Sequence, residues 1–260
     1  MAQRSPVVNV IAGAVVKAAR ALNRDFGEIE SLQSSPKGPG KFAAKALSRA
    51  EDGLMRELTR ARRDYRVIRA DDPLGDPGEP AWLVAPIVGL RNFGRGLPWF
   101  ASVVGVREEG RILAGAIYDP LRDVLNWAEH GIGAYANHQR IRVSAHSAIA
   151  DALVALAPAP GDAAGHAAAL RALAGTGAVT RETGCAALDM AAVASGRFDG
   201  FWGAGVAPVV AEIGGLMVRE AGGLVEADTA ASGAIVAGNG YLGRDLATAL
   251  SRAGPLSSAP

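Results

Sequence analysis

The chain reads as a mixed α/β fold, and three features of its sequence predict this. Its 260 residues are 49% hydrophobic and 20% charged, which supplies ample material for a core. Apolar residues recur at helical spacing in Val8, Ile11, Ala12, Val15, Ala19 and Leu22, and again in Ala43, Leu47, Ala50, Leu54, Leu58 and Ala61. Between residues 100 and 128 the pattern changes to three β-rich runs, 100–107, 111–118 and 124–128, parted by tight turns such as Glu109-Gly110.

The elements follow in order. The first apolar stripe is an N-terminal amphipathic helix; Lys17 and Arg20 interrupt it, which suits a mature helix better than a signal peptide. Residues 34–40 form a Pro/Gly loop and 41–63 a second helix. Opposite its apolar arc, that helix carries Lys41, Lys45, Arg49, Arg56, Arg60 and Arg63, with Asp52 the only acid among them. Such a stripe is either a solvated face or a docking surface for an acidic protein, RNA or a phosphate-rich ligand. The stripe has no interleaved aromatics, which weighs against single-strand stacking. A turn-rich loop, 73–80, leads to a strand at 82–84, ahead of the three central strands. Beyond them come a strand within 149–157, helices at 166–174 and 186–195, and a short strand at 200–202. A helix at 209–221, a strand near 234–237 and a helix at 242–253 close the chain, and the tail 254–260 is expected to be disordered.

Composition excludes several classes. The formal net charge of +1 gives no general case for nucleic-acid binding. Cys185 is the only cysteine, so neither an intramolecular disulfide nor a cysteine zinc site can form. The four histidines lack ligand spacing. Apolar stretches are broken before the ~18 residues a membrane span needs, so no membrane association is expected and the cytoplasm is the default location.

The segment Trp82-Leu83-Val84-Ala85-Pro86-Ile87-Val88-Gly89-Leu90-Arg91-Asn92-Phe93 resembles W-[IL]-V-D-P-[IL]-D-G-T-[TS]-N-F of the inositol monophosphatase family. Lys37-Gly38-Pro39-Gly40-Lys41-Phe42, Gly115-Ala116-Ile117-Tyr118-Asp119-Pro120, Gly184-Cys185-Ala186-Ala187-Leu188-Asp189 and Val218-Arg219-Glu220-Ala221-Gly222-Gly223 are similar to further family motifs in the same order. The resemblance implies a layered α-β-α-β-α sandwich, with an N-terminal α+β half (1–145) carrying the metal site and a C-terminal α/β half (146–260). It also implies a Mg²⁺-dependent phosphatase acting on inositol or sugar phosphates, usually as a homodimer.

The acids of that chemistry are replaced. Lys41 and Leu47 stand for two aspartates of the second helix, Ala70 and Asp71 for a glutamate pair, Ala85 and Val88 for the two aspartates of the central motif, and Val210 for a fourth-element aspartate. Gly203 stands where many members place a substrate-contacting glutamate. Alanine and valine offer no oxygen to a hard cation, and without the ion nothing lowers the pKa of an attacking water toward ~7. The sequence therefore predicts a catalytically inactive member without a metal cofactor, acting as a binding, scaffold or regulatory protein with a protein or RNA partner. Two alternatives stay open. One is a residual Mg²⁺-dependent phosphomonoesterase. The other is a non-hydrolysing phosphate-ester binder that uses the backbone amides of Gly89, Leu90 and Arg91. Cys185 reads as a buried structural thiol.

Overall fold

The computed structural model describes residues 4–32, 38–228 and 234–251. Most of the predicted 34–40 loop, Lys37 and the 254–260 tail lie outside the described residues.

Two long helices open the chain, α1 (Pro6–Leu32) and α2 (Gly38–Ala61). Residues 38–40, expected in a loop, form the first turn of α2, and Arg63, expected on α2, lies past its end. The strands β1 (Arg66–Arg69), β2 (Ala81–Val88), β3 (Ala101–Glu108), β4 (Arg111–Asp119), β5 (Val124–Glu129), β6 (Gly133–Ala136) and β7 (Gln139–Arg140) form one sheet in chain order. The β1–β2 pair is parallel and the others antiparallel. A five-residue helix, α3 (Leu90–Gly94), follows β2.

The second sheet is ordered β11-β12-β10-β8-β9, from β8 (Leu153–Ala157), β9 (Val179–Arg181), β10 (Gly200–Ala204), β11 (Leu224–Asp228) and β12 (Ala234–Gly238). Between its strands run α4 (Ala163–Ala174), α5 (Ala186–Ala194) and α6 (Pro208–Glu220), with α7 (Leu242–Ser251) at the end. Local chemistry sets the helix ends. The Asp162 carboxylate accepts the Gly165 N–H at 2.8 Å to cap α4. Past α6, Gly222 adopts a left-handed φ of 88°, and the N–H groups of Gly222 and Gly223 donate to Arg219 and Val218 O.

Alternation along the strands builds the layers. Trp82, Val84, Val104, Val106, Ala116 and Trp127 face α1 and α2 in one apolar cluster. Leu83, Ala85, Val103 and Ile117, on the opposite face, pack against α5 and α6, whose other side meets Phe201, Ile235 and Ala237 of the second sheet. Val154, Leu156 and Trp202 then pack under Leu173 of α4 and Leu242 and Leu246 of α7. The order is α-β-α-β-α. On α2 the buried row is Ala43, Ala46, Ala50, Leu54 and Leu58, so Leu47 and Ala61, expected within it, flank it half-buried. Among the described residues no helix is long and apolar enough to cross a membrane.

One close approach locks α6 onto the first sheet. Gly105 and Gly115 pair across β3 and β4, and a β-carbon on either would lie 2.7 Å from Ile213. The side chain of Ile213 fills the hollow that the two glycines leave.

Candidate functional site

The interlayer between the first sheet and α6 gathers most of the positions singled out by sequence. Pairing passes from Ala85↔Val103 to Val88↔Ala101, so three steps on β2 match two on β3. This bulge contains Pro86, whose carbonyl accepts the Ser102 hydroxyl at 2.6 Å. In a regular strand, residues three apart face opposite ways. The bulge turns Ala85 and Val88 to the same side, into the interlayer, while Ile87 faces α1 and α2.

Val210, at the start of α6, and Ala70, just after β1, belong to the same cluster. Ala85 and Val210 are buried; Ala70 and Val88 are half-buried. Four of the predicted former ligand positions thus belong to the apolar interlayer cluster. The other three do not join it. Lys41 is exposed on α2, Leu47 packs in the layer beneath α1, and Asp71 is exposed. Asp72, beside it, is used in a turn, where its carboxylate accepts the Arg69 N–H at 3.0 Å. Gly203 is also committed to packing, since a β-carbon there would lie 2.5 Å from Val206 and 2.7 Å from the Phe201 ring.

The donor set does not fit the Mg²⁺ that the family fold implies. Mg²⁺ requires a near-octahedral shell of oxygens, several of them charged. Here the groups at Ala70, Ala85, Val88 and Val210 are methyl-bearing, and among the described residues no three His, Cys, Asp or Glu side chains are placed to hold a metal ion.

The turn after β2 keeps its backbone form. Gly89 has φ 85°, and a β-carbon there would lie 2.8 Å from Trp99 O. Leu90 packs in the layer of α1 and α2, whereas Val88 packs in the interlayer. Arg91 is exposed.

Beneath this turn runs a polar network that sequence reasoning missed. Asn92 Nδ2 donates to Trp99 O and Thr183 O, both at 2.8 Å. Thr183 Oγ1 and Trp99 Nε1 donate to Asp189 Oδ1 at 2.6 and 3.4 Å. Cys185 N donates to Thr183 Oγ1, and its thiol donates to Val88 O at 3.4 Å. Asp189 is fully buried and its Oδ2 has no partner. Burial pushes its carboxyl up to about 7, with the Thr183 and Trp99 hydrogen bonds pulling the other way. Burial likewise raises the Cys185 thiol well above its ordinary range, so it is an inert structural group. Asp189 stands within a recognisable motif, yet a lone helical aspartate carries no sign of its burial.

On α2, Lys41, Lys45, Arg56 and Arg60 are exposed as expected. Arg49 instead pairs with buried Asp25 at 2.6 Å and lies 5.9 Å from the centre of the Phe42 ring, so part of the stripe is structural.

Comparison with known proteins agrees with this architecture. The model of the inositol monophosphatase family matches residues 3–254. An inositol-1-monophosphatase of Mesorhizobium japonicum is 38% identical over 98% of this chain and 99% of its own length. The Nus factor SuhB of Escherichia coli K12 is 32% identical over 90% of this chain and 91% of its own. The crystal structure of the extragenic suppressor protein suhB from Bartonella henselae superposes with a TM-score of 0.84 at 35% identity, covering 95% and 99% of the two chains. From the α-β-α-β-α layering and these matches together, the chain belongs to the inositol monophosphatase family.

Proposed function

We propose that this chain retains the family scaffold without its divalent-metal chemistry and acts by binding a partner. The carrying observation is that Ala70, Ala85, Val88 and Val210, read as former ligand positions, all lie in the apolar interlayer cluster. Apolar packing in place of charged groups is compatible with a stable fold. Relatives named Nus factor SuhB support a protein or RNA partner, and the exposed cations of α2 offer it a surface. A homodimer is part of this reading.

A second reading, a Mg²⁺-dependent phosphomonoesterase for inositol or sugar phosphates, is favoured by the relatives named inositol-1-monophosphatase. Taken alone, the comparisons lean toward it. It requires ligands other than the four apolar positions, and Asp71 is the one acid left of that set.

Calorimetric titration with Mg²⁺ and Mn²⁺, alongside phosphate release from inositol 1-phosphate, separates the two. The binding reading expects no saturable metal uptake at millimolar concentration and no metal-dependent turnover. Saturable uptake with turnover would overturn it in favour of the enzyme.

A further inference from the structure

A cavity of about 400 Å³ opens on the far side of α6 from Val210, between the 74–77 loop, the β3–β4 turn and the 130 turn. Its volume lies within the range of small-molecule sites. Its charge is one-sided. Arg107, Arg111 and Arg219 line it against one lining carboxylate, Glu212; His130, at its edge, faces Glu220 at 3.7 Å, and Leu74, Ile112 and Leu216 supply an apolar wall.

Arg107 gives the cavity its strongest signal. The residue is 95% buried, with 5% exposure, yet no carboxylate pairs with it among the described residues. Its Nη1 donates to Leu74 O at 2.7 Å, and its Nη2 to Asp76 O at 2.7 Å and Glu79 O at 3.3 Å. Among the described residues its Nε–H has no acceptor. Carbonyl dipoles thus solvate the cation but do not neutralise it, and an uncompensated buried charge is costly. Arg219 adds to the field at the rim. Its guanidinium lies over Gly215, where a β-carbon would come within 3.2 Å, so the missing side chain gives it room. Among the described residues Arg111 is held only by Glu109, at 3.5 Å on the surface. Both remain available to an anion, and a guanidinium presents paired donors to a carboxylate or phosphate.

We propose that this cavity is a binding site for a small organic anion, a carboxylate or phosphate ester whose apolar body rests on Leu74, Ile112 and Leu216. Its charged head is taken by Arg111 and Arg219, over the buried charge of Arg107. The site is separate from the Gly89–Leu90–Arg91 turn and does not depend on whether the chain hydrolyses anything.

Phenyl phosphate and benzoate serve as probes, with inorganic phosphate as the head alone and phenol as the body alone. Calorimetry and thermal shift on the full chain should give saturable binding of at least one organic anion and none of phenol. The paired Arg111→Ala, Arg219→Ala variant should weaken it at least tenfold with no change in the unliganded melting temperature, since both side chains are exposed. Arg91→Ala should leave it unaltered. No saturable binding up to millimolar probe, or binding lost on Arg91→Ala and kept in the paired variant, overturns the proposal.

Discussion

Replacing Asp189 by Asn isolates the buried carboxyl beneath the β2–α3 turn. Burial penalises the charge and pushes the Asp189 carboxyl up to about 7 in the folded state, from the 3.8 of an ordinary aspartate. The folded protein therefore holds this proton more tightly than the unfolded chain does. Stability from this group is fully present below about pH 4 and is lost as pH rises toward 7. The difference between 3.8 and about 7 corresponds to about 4 kcal/mol. Asparagine does not titrate. Its Oδ1 can accept from Thr183 and Trp99 as the carboxylate does, and its amide replaces the unpartnered Oδ2. That buried NH₂ costs about 1–3 kcal/mol at every pH. The stability of Asp189→Asn relative to the parent should thus rise by about 4 kcal/mol between pH 4 and 8, leaving the variant the more stable at pH 8. Urea unfolding of both proteins at half-unit pH steps measures this difference, in which the other carboxylates cancel. A difference that stays flat across that range would refute the reasoning, since it would mean that Asp189 ionises like an exposed acid.

Three other perturbations test the site and its scaffold. Ala85→Asp places a carboxylate in the interlayer cluster and should cost about 3 kcal/mol or more at pH 8; added Mg²⁺ should not restore the melting temperature, and restoration would point to oxygen ligands nearby. Gly105→Ala forces a methyl group against Ile213 and should cost about 1–3 kcal/mol by chemical denaturation. Lys45→Glu with Arg56→Glu, both exposed on α2, should leave the melting temperature within a degree or two and abolish partner capture, whereas unchanged pull-down of a partner would remove the stripe from the binding surface.

Which strands could be read from the sequence follows from their place in the sheets. The central runs of β3, β4 and β5 are long and alternate between two covered faces. β1 and β7 edge the first sheet and β11 and β9 the second, and all four lacked a recognisable pattern, as did the four-residue interior strand β6, which opens on a glycine. An edge strand has a neighbour on one side only and can be short and polar. In β1 only Ile68 is buried. The α2 row shows a different limit. Helical spacing gave the apolar arc, but its centre depends on where α1 crosses, which put Ala46 inside and Leu47 at the flank.

At the site, the resemblance singled out the positions read as replaced acids, and the structure added where those positions lie in space. The Ala85 and Val88 pair meets because of a bulge that pattern alone does not encode, and Lys41 and Leu47 fall outside the cluster because α2 packs on the opposite face of the sheet. Arg107 is the instructive counterexample. It extends the row Ala101, Val103, Gly105, whose first two members face the interlayer, so alternation carried far enough points an arginine toward that layer. A strand with one cation in an inward row has to solvate it, and here the carbonyls of the 74–79 loop do so. The loop that supplies those carbonyls also walls the cavity, so the buried guanidinium ties β3 to the 74–77 side of the proposed site.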